Sequence, residues 1–527
     1  MKWKLTVKVD QEMIQEEVDS LSRLQRELHG KIQCMKAETQ LDLDKNDVLF
    51  FNGYQTWTYN KEMQIRDKQK GVDHIPSFLL NKYHFDRYGD YHFVEYAKES
   101  DIFHGFTYMY IRHENTYHLL ASCDEEQAYT IFHYDHGTLT IERDCKDYPV
   151  DGLYTCFDIL DTTGSEEEVF DAWFDRMHIQ PLETKKLYGY SSWYNHYENI
   201  SSKTIAEDLD GCKKILQKGD LFQIDDGWQT CTGDWLSVDK QKFPEGLRYE
   251  VDQIHNNGFL AGLWLSPFLA SVHSDLVKLH PDWLLKHNGF PWFTGCNWDG
   301  AYALDIDHPQ VIQYLKDVFH LVFEEWKFDF VKLDFLYAGA PFPTETKTRS
   351  QKMFQGIHFL RELCGNHPIL GCGVPTCTTF GLFEYNRIGC DVSLDWNDIW
   401  YMRLFHRERT STKQSLANTI FRRSLNNRAF LNDPDVFFLR DENIKLNAKQ
   451  KDLLATLNAL LGGVFLTSDN PSNYTEQQIK QYRYYRHLSQ AENIHTSMHG
   501  FTLTIMYTLD DKNHIFTCDT RMFKKSC

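Results

Sequence analysis

The sequence predicts a multidomain chain organised around a central (β/α)8 barrel, with an N-terminal β-sandwich before it and a small C-terminal antiparallel β-domain after it. Two observations carry this. Eight short apolar runs alternate with amphipathic helical patterns between about residues 186 and 490, which is the signature of a parallel barrel. The stretches before and after that region instead break into short alternating segments separated by turn residues, as antiparallel sheets do. At 527 residues the chain exceeds one ordinary core. Boundaries follow from the change of pattern: 1–164 for the sandwich, 165–185 for a helical linker, 186–490 for the barrel and 491–527 for the last domain.

Composition narrows the function classes. Fifty-six Lys and Arg against 75 Asp and Glu leave a net charge of -19. That balance disfavours a nucleic-acid backbone or an anionic membrane surface as partner and suits a neutral polar substrate. No run approaches the roughly 18 apolar residues of a membrane span. The opening MKWKLTVKVD alternates Trp3, Leu5, Val7 and Val9 with polar neighbours, so it reads as a strand rather than a signal peptide. Thirteen scattered cysteines lack a framework spacing and read as free thiols in a reducing cytoplasm.

Segments 91–96, 106–111 and 117–122 alternate as sandwich strands. Within the same domain Ile14, Val18, Leu21, Leu24 and Leu28 recur at helical spacing and predict a helix over 11–32, packed on the sandwich or serving as a homo-oligomer contact. A second helix over 165–176 leads into the barrel. Its strands are predicted at 187–194, 221–226, 260–267, 328–335, 369–374, 386–391, 430–435 and 464–469, with helices at 203–218, 311–326, 352–363, 413–425 and 448–461. A long insertion, 266–307, delays the third helix and carries a short helical stretch near 280–283. Long loops after barrel strands are usually functional.

Strand after strand ends in aspartate: Asp225 and Asp226, Asp334, Asp391, Asp433 and Asp435. Any one could cap a helix or make a turn, but together they ring one rim. Trp193, Trp228, Trp235, Trp264 and Trp396 are interleaved there, each of them by itself an ordinary core residue. A lysine and an acid inside the buried run FVKLDF need a reason. Lys332 and Asp334 share a side of the strand, so they form either a structural ion pair or a working couple in which the cation keeps Asp334 ionised as a nucleophile. Carboxylates plus indoles suit glycoside chemistry, and a magnesium site could look similar.

The segments GYSSWYNHY (189–197), FQIDDGWQ (222–229), GDW (233–235), GLWLSPF (262–268), HPDW (280–283), YALDID (302–307), VKLDFLYAGA (331–340), ILGCG (369–373), RIGCD (387–391) and LNDPD (431–435) recur in order. They resemble the α-galactosidases of glycoside hydrolase family 36, as does FNGYQTW (51–57) in the sandwich. The resemblance implies a retaining, exo-acting hydrolase of small α-galactosides of the melibiose or raffinose type, with Asp334 as nucleophile and Asp391 as acid/base, about 5 to 5.5 Å apart. It further implies Asp225 and Asp226 as acceptors for sugar hydroxyls, Lys332 and Arg387 as donors, and Trp57, Trp193, Trp235 and Trp264 as pocket walls. Cys372 would lie near the sugar 2-position, and neither cofactor nor metal is required. An α-N-acetylgalactosaminidase, a transglycosidase, a metal-dependent barrel lyase or isomerase, and a non-catalytic sugar-binding protein are the competing readings. Cys390 and Trp396 depart from the family pattern and bear on the leaving group.

Overall fold

The computed structural model describes residues 1–72, 74–398 and 407–523. The N-terminal region folds as two antiparallel sheets. One runs Glu12–Val18, Trp3–Val9, Leu24–Gln40, Thr138–Arg143, Thr130–Asp135 and Ile102–Phe106, with Pro149–Phe157 paired to the first half of Leu24–Gln40. The other runs Ile159–Gly164, Thr116–Ser122, Tyr108–His113 and Val48–Phe51. Alternation puts Leu5, Val7, Met35, Phe51, Met109, Leu120 and Phe132 into the buried layer, as expected of a sandwich.

The helix expected over 11–32 is absent. Glu12–Val18 forms a hairpin with Trp3–Val9, and Leu24 begins the 17-residue strand Leu24–Gln40. The reason lies in the spacing. Ile14 and Val18, and likewise Leu24, Leu28 and Ile32, stand four residues apart. Four is close to one helical turn and is also an even number, so it keeps residues on one side of a strand. The turn at Asp10, with φ of 47°, folds the chain back before a helix can start.

The barrel strands are β1 (Leu187–Ser191), β2 (Leu221–Ile224), β3 (Leu260–Leu265), β4 (Phe330–Leu333), β5 (Ile369–Gly371), β6 (Tyr385–Arg387), β7 (Leu431–Asp433) and β8 (Val464–Thr467). All neighbouring ladders are parallel, and β8 returns to pair with β1. The Gly463 N–H donates to Asn432 O at 2.8 Å, bridging the remaining gap beside β7. Helices Ser202–Cys212, Leu247–Asn256, Pro309–His320, Arg349–Cys364, Thr412–Phe421, Ala448–Leu461 and Glu476–Leu488 follow β1, β2, β3, β4, β6, β7 and β8.

Strict eightfold alternation fails once. Among the described residues, β5 and β6 are joined only by the short 3-10 turn Thr376–Thr379, because 372–384 is rich in threonine and broken by Pro375 and Gly381. The helix Glu166–Met177 packs there instead. Trp173 and Phe174 meet Phe380 at 5.8 and 5.3 Å, while the other side of Trp173 lies on Tyr108 of the sandwich at 5.1 Å. The insertion after β3 contains Leu269–Ser271, Phe293–Gly295 and Ala301–Ala303 in one small sheet, and its helix, Asp275–Leu279, stops just before Pro281. Three antiparallel strands, Glu492–His499, Thr502–Leu509 and Lys512–Asp519, follow the barrel. No helix among the described residues is long and apolar enough to cross a membrane.

Candidate active site

A cavity of about 320 Å³ opens at the C-terminal ends of the barrel strands. Asp225 and Asp226 follow β2 directly, Asp334 follows β4, and Asp391 lies four residues beyond β6; all four line it. Asp334 is buried. Its Oδ2 accepts from the Trp264 indole Nε1 at 3.1 Å and its Oδ1 from the Phe335 backbone N–H at 2.8 Å. Phe335 takes a left-handed backbone (φ 55°) to make this turn, a strained geometry of the sort that collects at functional sites. Asp391 is the accessible acid, with a side chain 40% exposed, and Arg387 Nη1 donates to its Oδ1 at 2.7 Å.

Lys332 does not bond to Asp334. Its Nζ donates to Asp225 Oδ2 at 3.0 Å, where Gln223 Nε2 also donates at 2.7 Å. Lys332 therefore ties β4 to β2. Burial disfavours the Lys332 charge, but Asp225 and then Asp334 outweigh it and raise its pKa. The expectation that Lys332 holds the Asp334 pKa low is corrected: burial pushes the Asp334 carboxyl up, Lys332 pulls it down by less, and Asp391 adds to the rise. Asp226 is pushed up to about 7 by burial, against the pull of two donors, Gln229 Nε2 at 2.5 Å and Trp298 Nε1 at 2.9 Å.

Trp57, Trp193 and Trp264 line the cavity. Trp57 comes from the sandwich. Its edge meets Phe335 at 4.9 Å, and its Nε1 donates to Cys372 Sγ at 3.2 Å. Cys372 is fully buried, with its thiol held between Trp57 and Asp334. Trp235 also lies one layer back, packed on Trp264 at 5.8 Å and on Trp228 at 5.9 Å. Arg387 sits beneath the rim, donating to Asp433 at 3.1 Å and Asp435 at 3.0 Å as well as to Asp391. It orients Asp391 from below. Among the described residues, the group of side chains close enough to share an ion is Asp44, Asp47 and His113, on the sandwich and away from the cavity.

Sequence reasoning missed several lining residues. Trp298 and Asn297 come from the long insertion, Phe85 and Tyr88 from a sandwich loop, Glu198 from the loop after Trp193, and Glu408 to Thr410 from the segment before helix Thr412–Phe421. The insertion's length was the available signal for Trp298. For Tyr88 there was none, since its place depends on a partner more than two hundred residues away. The assembled site offers paired acceptors at its floor, aromatic faces around it and two further carboxylates on different strand ends. It can hold a polyhydroxylated ring and work on a bond next to it.

Residues 190–355 match the family model described as Melibiase. The first half of the barrel is melibiase-like. This melibiase-like part contains Asp225, Asp226, Lys332, Asp334 and the insertion, and it ends before Asp391. An α-galactosidase of Escherichia coli is 25% identical over 221 residues, 40% of this chain and 30% of that protein. The chain spans less than a third of the length of the curated relatives it matches. An α-galactosidase from Thermus thermophilus, solved with p-nitrophenyl α-D-galactopyranoside, superposes with a TM-score of 0.75 at 24% identity, covering 93% of this chain and 95% of that one. The same enzyme has been solved with stachyose. The family 36 α-galactosidase AgaA from Geobacillus stearothermophilus gives a TM-score of 0.59 at 12% identity, over 95% of this chain and 71% of that one. The multidomain fold and the resemblance to family 36 are thus borne out.

Proposed function

We propose that this chain is an exo-acting α-galactosidase that removes terminal α-linked galactose from small oligosaccharides by double displacement. The observation that carries the reading is that a buried and a half-exposed carboxylate, Asp334 and Asp391, open on one cavity beside the acceptor pair Asp225 and Asp226. Asp334 attacks the anomeric carbon while Asp391 gives its proton to the departing oxygen, leaving a β-linked galactosyl ester on Asp334. Asp391 then takes a proton from water, which attacks the same carbon, frees Asp334 and releases galactose with its α configuration retained. Asp225 and Asp226 accept the sugar hydroxyls, and Trp57, Trp193, Trp264 and Trp298 enclose the ring.

Cys372 favours galactose over N-acetylgalactosamine. Trp57 covers the thiol and bonds to it, so a 2-acetamido group placed near Cys372 would have to displace that contact. The described cysteines are unbridged, which supports a reducing, cytoplasmic setting and imported substrates such as melibiose or raffinose. Release of nitrophenol from 4-nitrophenyl α-D-galactoside, run beside the α-GalNAc and α-glucoside analogues with and without EDTA, tests the reading. Chelator-insensitive hydrolysis of the galactoside, with α-galactose as the first anomer seen by NMR, is expected. Activity on the GalNAc compound alone would move the assignment to an α-N-acetylgalactosaminidase, β-galactose as first product would remove the double displacement, and loss with EDTA would favour metal chemistry.

A further inference from the structure

The turn Cys296–Asn297–Trp298 forms one wall of the cavity, and its backbone is costly. Trp298 (φ 55°) and Asp299 (φ 61°) are consecutive left-handed residues that both carry side chains, a conformation that persists only where surrounding contacts hold it. The side-chain clamp on its first two residues comes from the other domain. Tyr88 Oη accepts from the Cys296 N–H at 2.8 Å and donates to Asn297 Oδ1 at 2.6 Å. Tyr88 is itself tied down where its carbonyl accepts from Gln55 Nε2 at 2.7 Å. The approach is close enough that a Cβ on Gly295 would fall 2.8 Å from the Tyr88 ring. Within the insertion, the Gly300 N–H donates to Asn297 O at 2.9 Å and the Val272 N–H to Gly300 O at 3.0 Å, which close the back of the turn, while Ser271 Oγ reaches the Trp298 carbonyl only at 3.5 Å. Tyr337 holds the preceding Thr294 carbonyl rather than the turn.

The far end of the turn is the Trp298 indole, whose Nε1 donates to Asp226 Oδ2 at 2.9 Å and whose ring lies 5.0 Å from Phe335. We propose that Tyr88, from the N-terminal sandwich, is a positioning residue for the barrel's sugar pocket: by locking the Cys296–Trp298 turn it places the Trp298 indole on Asp226 and orders the acceptor for a substrate hydroxyl. Because the Tyr88 proton is committed to Asn297 Oδ1, the Asn297 amide nitrogen is left as a donor at the cavity wall. The sandwich thereby sets ligand affinity in a pocket whose acids all belong to the barrel.

The inference deepens the α-galactosidase reading, on which only its kinetic arm rests. Tyr88→Phe keeps the ring against Gly295 and deletes the hydroxyl. Loss of this two-bond clamp is expected to raise KM for 4-nitrophenyl α-D-galactoside about tenfold, with kcat changed less than about threefold. Trp298→Phe should raise KM similarly, and the double variant should be no worse than either, because both act through one turn. Independently of activity, the Cys296 thiol, 3.3 Å from Tyr88 Oη, should react with iodoacetamide about fivefold faster in Tyr88→Phe, read peptide by peptide in a mass spectrometer. Asn297→Ala removes the other end of the bond and should reproduce the faster alkylation even if Tyr88→Phe folds poorly. Unchanged alkylation in both single variants, or KM penalties that multiply in the double variant, would overturn the proposal. A wild-type enzyme silent on every galactoside would end the functional reading while the alkylation result still decides the latch.

Discussion

Replacing Asp226 with asparagine should stabilise the protein at neutral pH while weakening its grip on sugar, and the structure sets both the size and the pH window. The pKa rises from 3.8 to about 7, chiefly through burial. The folded chain then holds this proton more tightly than the unfolded chain. Its stabilisation is complete below about pH 4 and is lost as pH climbs through about 7. Three units at 1.36 kcal/mol each make this loss about 4 kcal/mol. Asparagine never ionises, so it escapes the loss. Its amide nitrogen must, however, face a donor on one side, either Gln229 Nε2 or Trp298 Nε1, at a cost of about 1–2 kcal/mol. The net is a gain of about 3 kcal/mol at pH 8 that shrinks to about zero at pH 5. Urea unfolding of both proteins at the two pH values, followed by tryptophan fluorescence, reads the difference, and calorimetry with galactose should show weakened binding. A variant that gains no stability over wild type between pH 5 and pH 8 would show that burial does not keep Asp226 protonated.

Three further outcomes are expected. Asp334→Asn should lower turnover by at least about 10⁴-fold without lowering the thermal midpoint, since burial already disfavours its charge, and added azide should give β-galactosyl azide; wild-type turnover in purified variant would end its role as nucleophile. Lys332→Met should destabilise the protein by about 3–5 kcal/mol, because it strands buried Asp225 and Asp334 without their cation. Adding Asp225→Leu should restore much of that in urea titrations, and a Lys332→Met protein as stable as wild type contradicts the pairing. Gly373→Ala puts a Cβ 2.8 Å from Trp57 Cζ2, on a backbone with φ of 55°, so Trp57 must shift. KM should rise with little change in kcat, and an unchanged KM would remove Trp57 from the pocket wall.

The acids were legible in the sequence because they ride on strands. Asp225, Asp226 and Asp334 each follow an apolar run too short and too dense to be anything but a barrel strand, and its end dictates where they stand. The indoles were only partly legible. Trp264 and Trp235 are both flanked by barrel motifs, yet only the first reaches the cavity, because a difference of one packing layer leaves no trace in local pattern. The direction of Lys332 was readable and its partner was not: the side of β4 it shares with Asp334 also faces β2, and Asp225 is the closer oxygen. The residues 11–32 misled because spacing by four satisfies helix and strand alike. Tyr88 and Trp298 needed the assembled molecule, since two loops from different domains must meet before either is part of a site.

The helix Glu166–Met177 has one face on the sandwich and the other on the barrel at the place where the fifth unit has no helix of its own. Its side chains also join the barrel to the last domain: Glu166 meets Arg423 and Ser424 of the barrel and, at 3.3 Å, Thr496 of the last sheet. A gene trimmed to the barrel alone would therefore make a protein with a bare seam at Phe380, prone to stick to its neighbours. On the ribosome the order of synthesis avoids that hazard. The sandwich and its trailing helix emerge first, and the later-made strands close against a splint that is already in place.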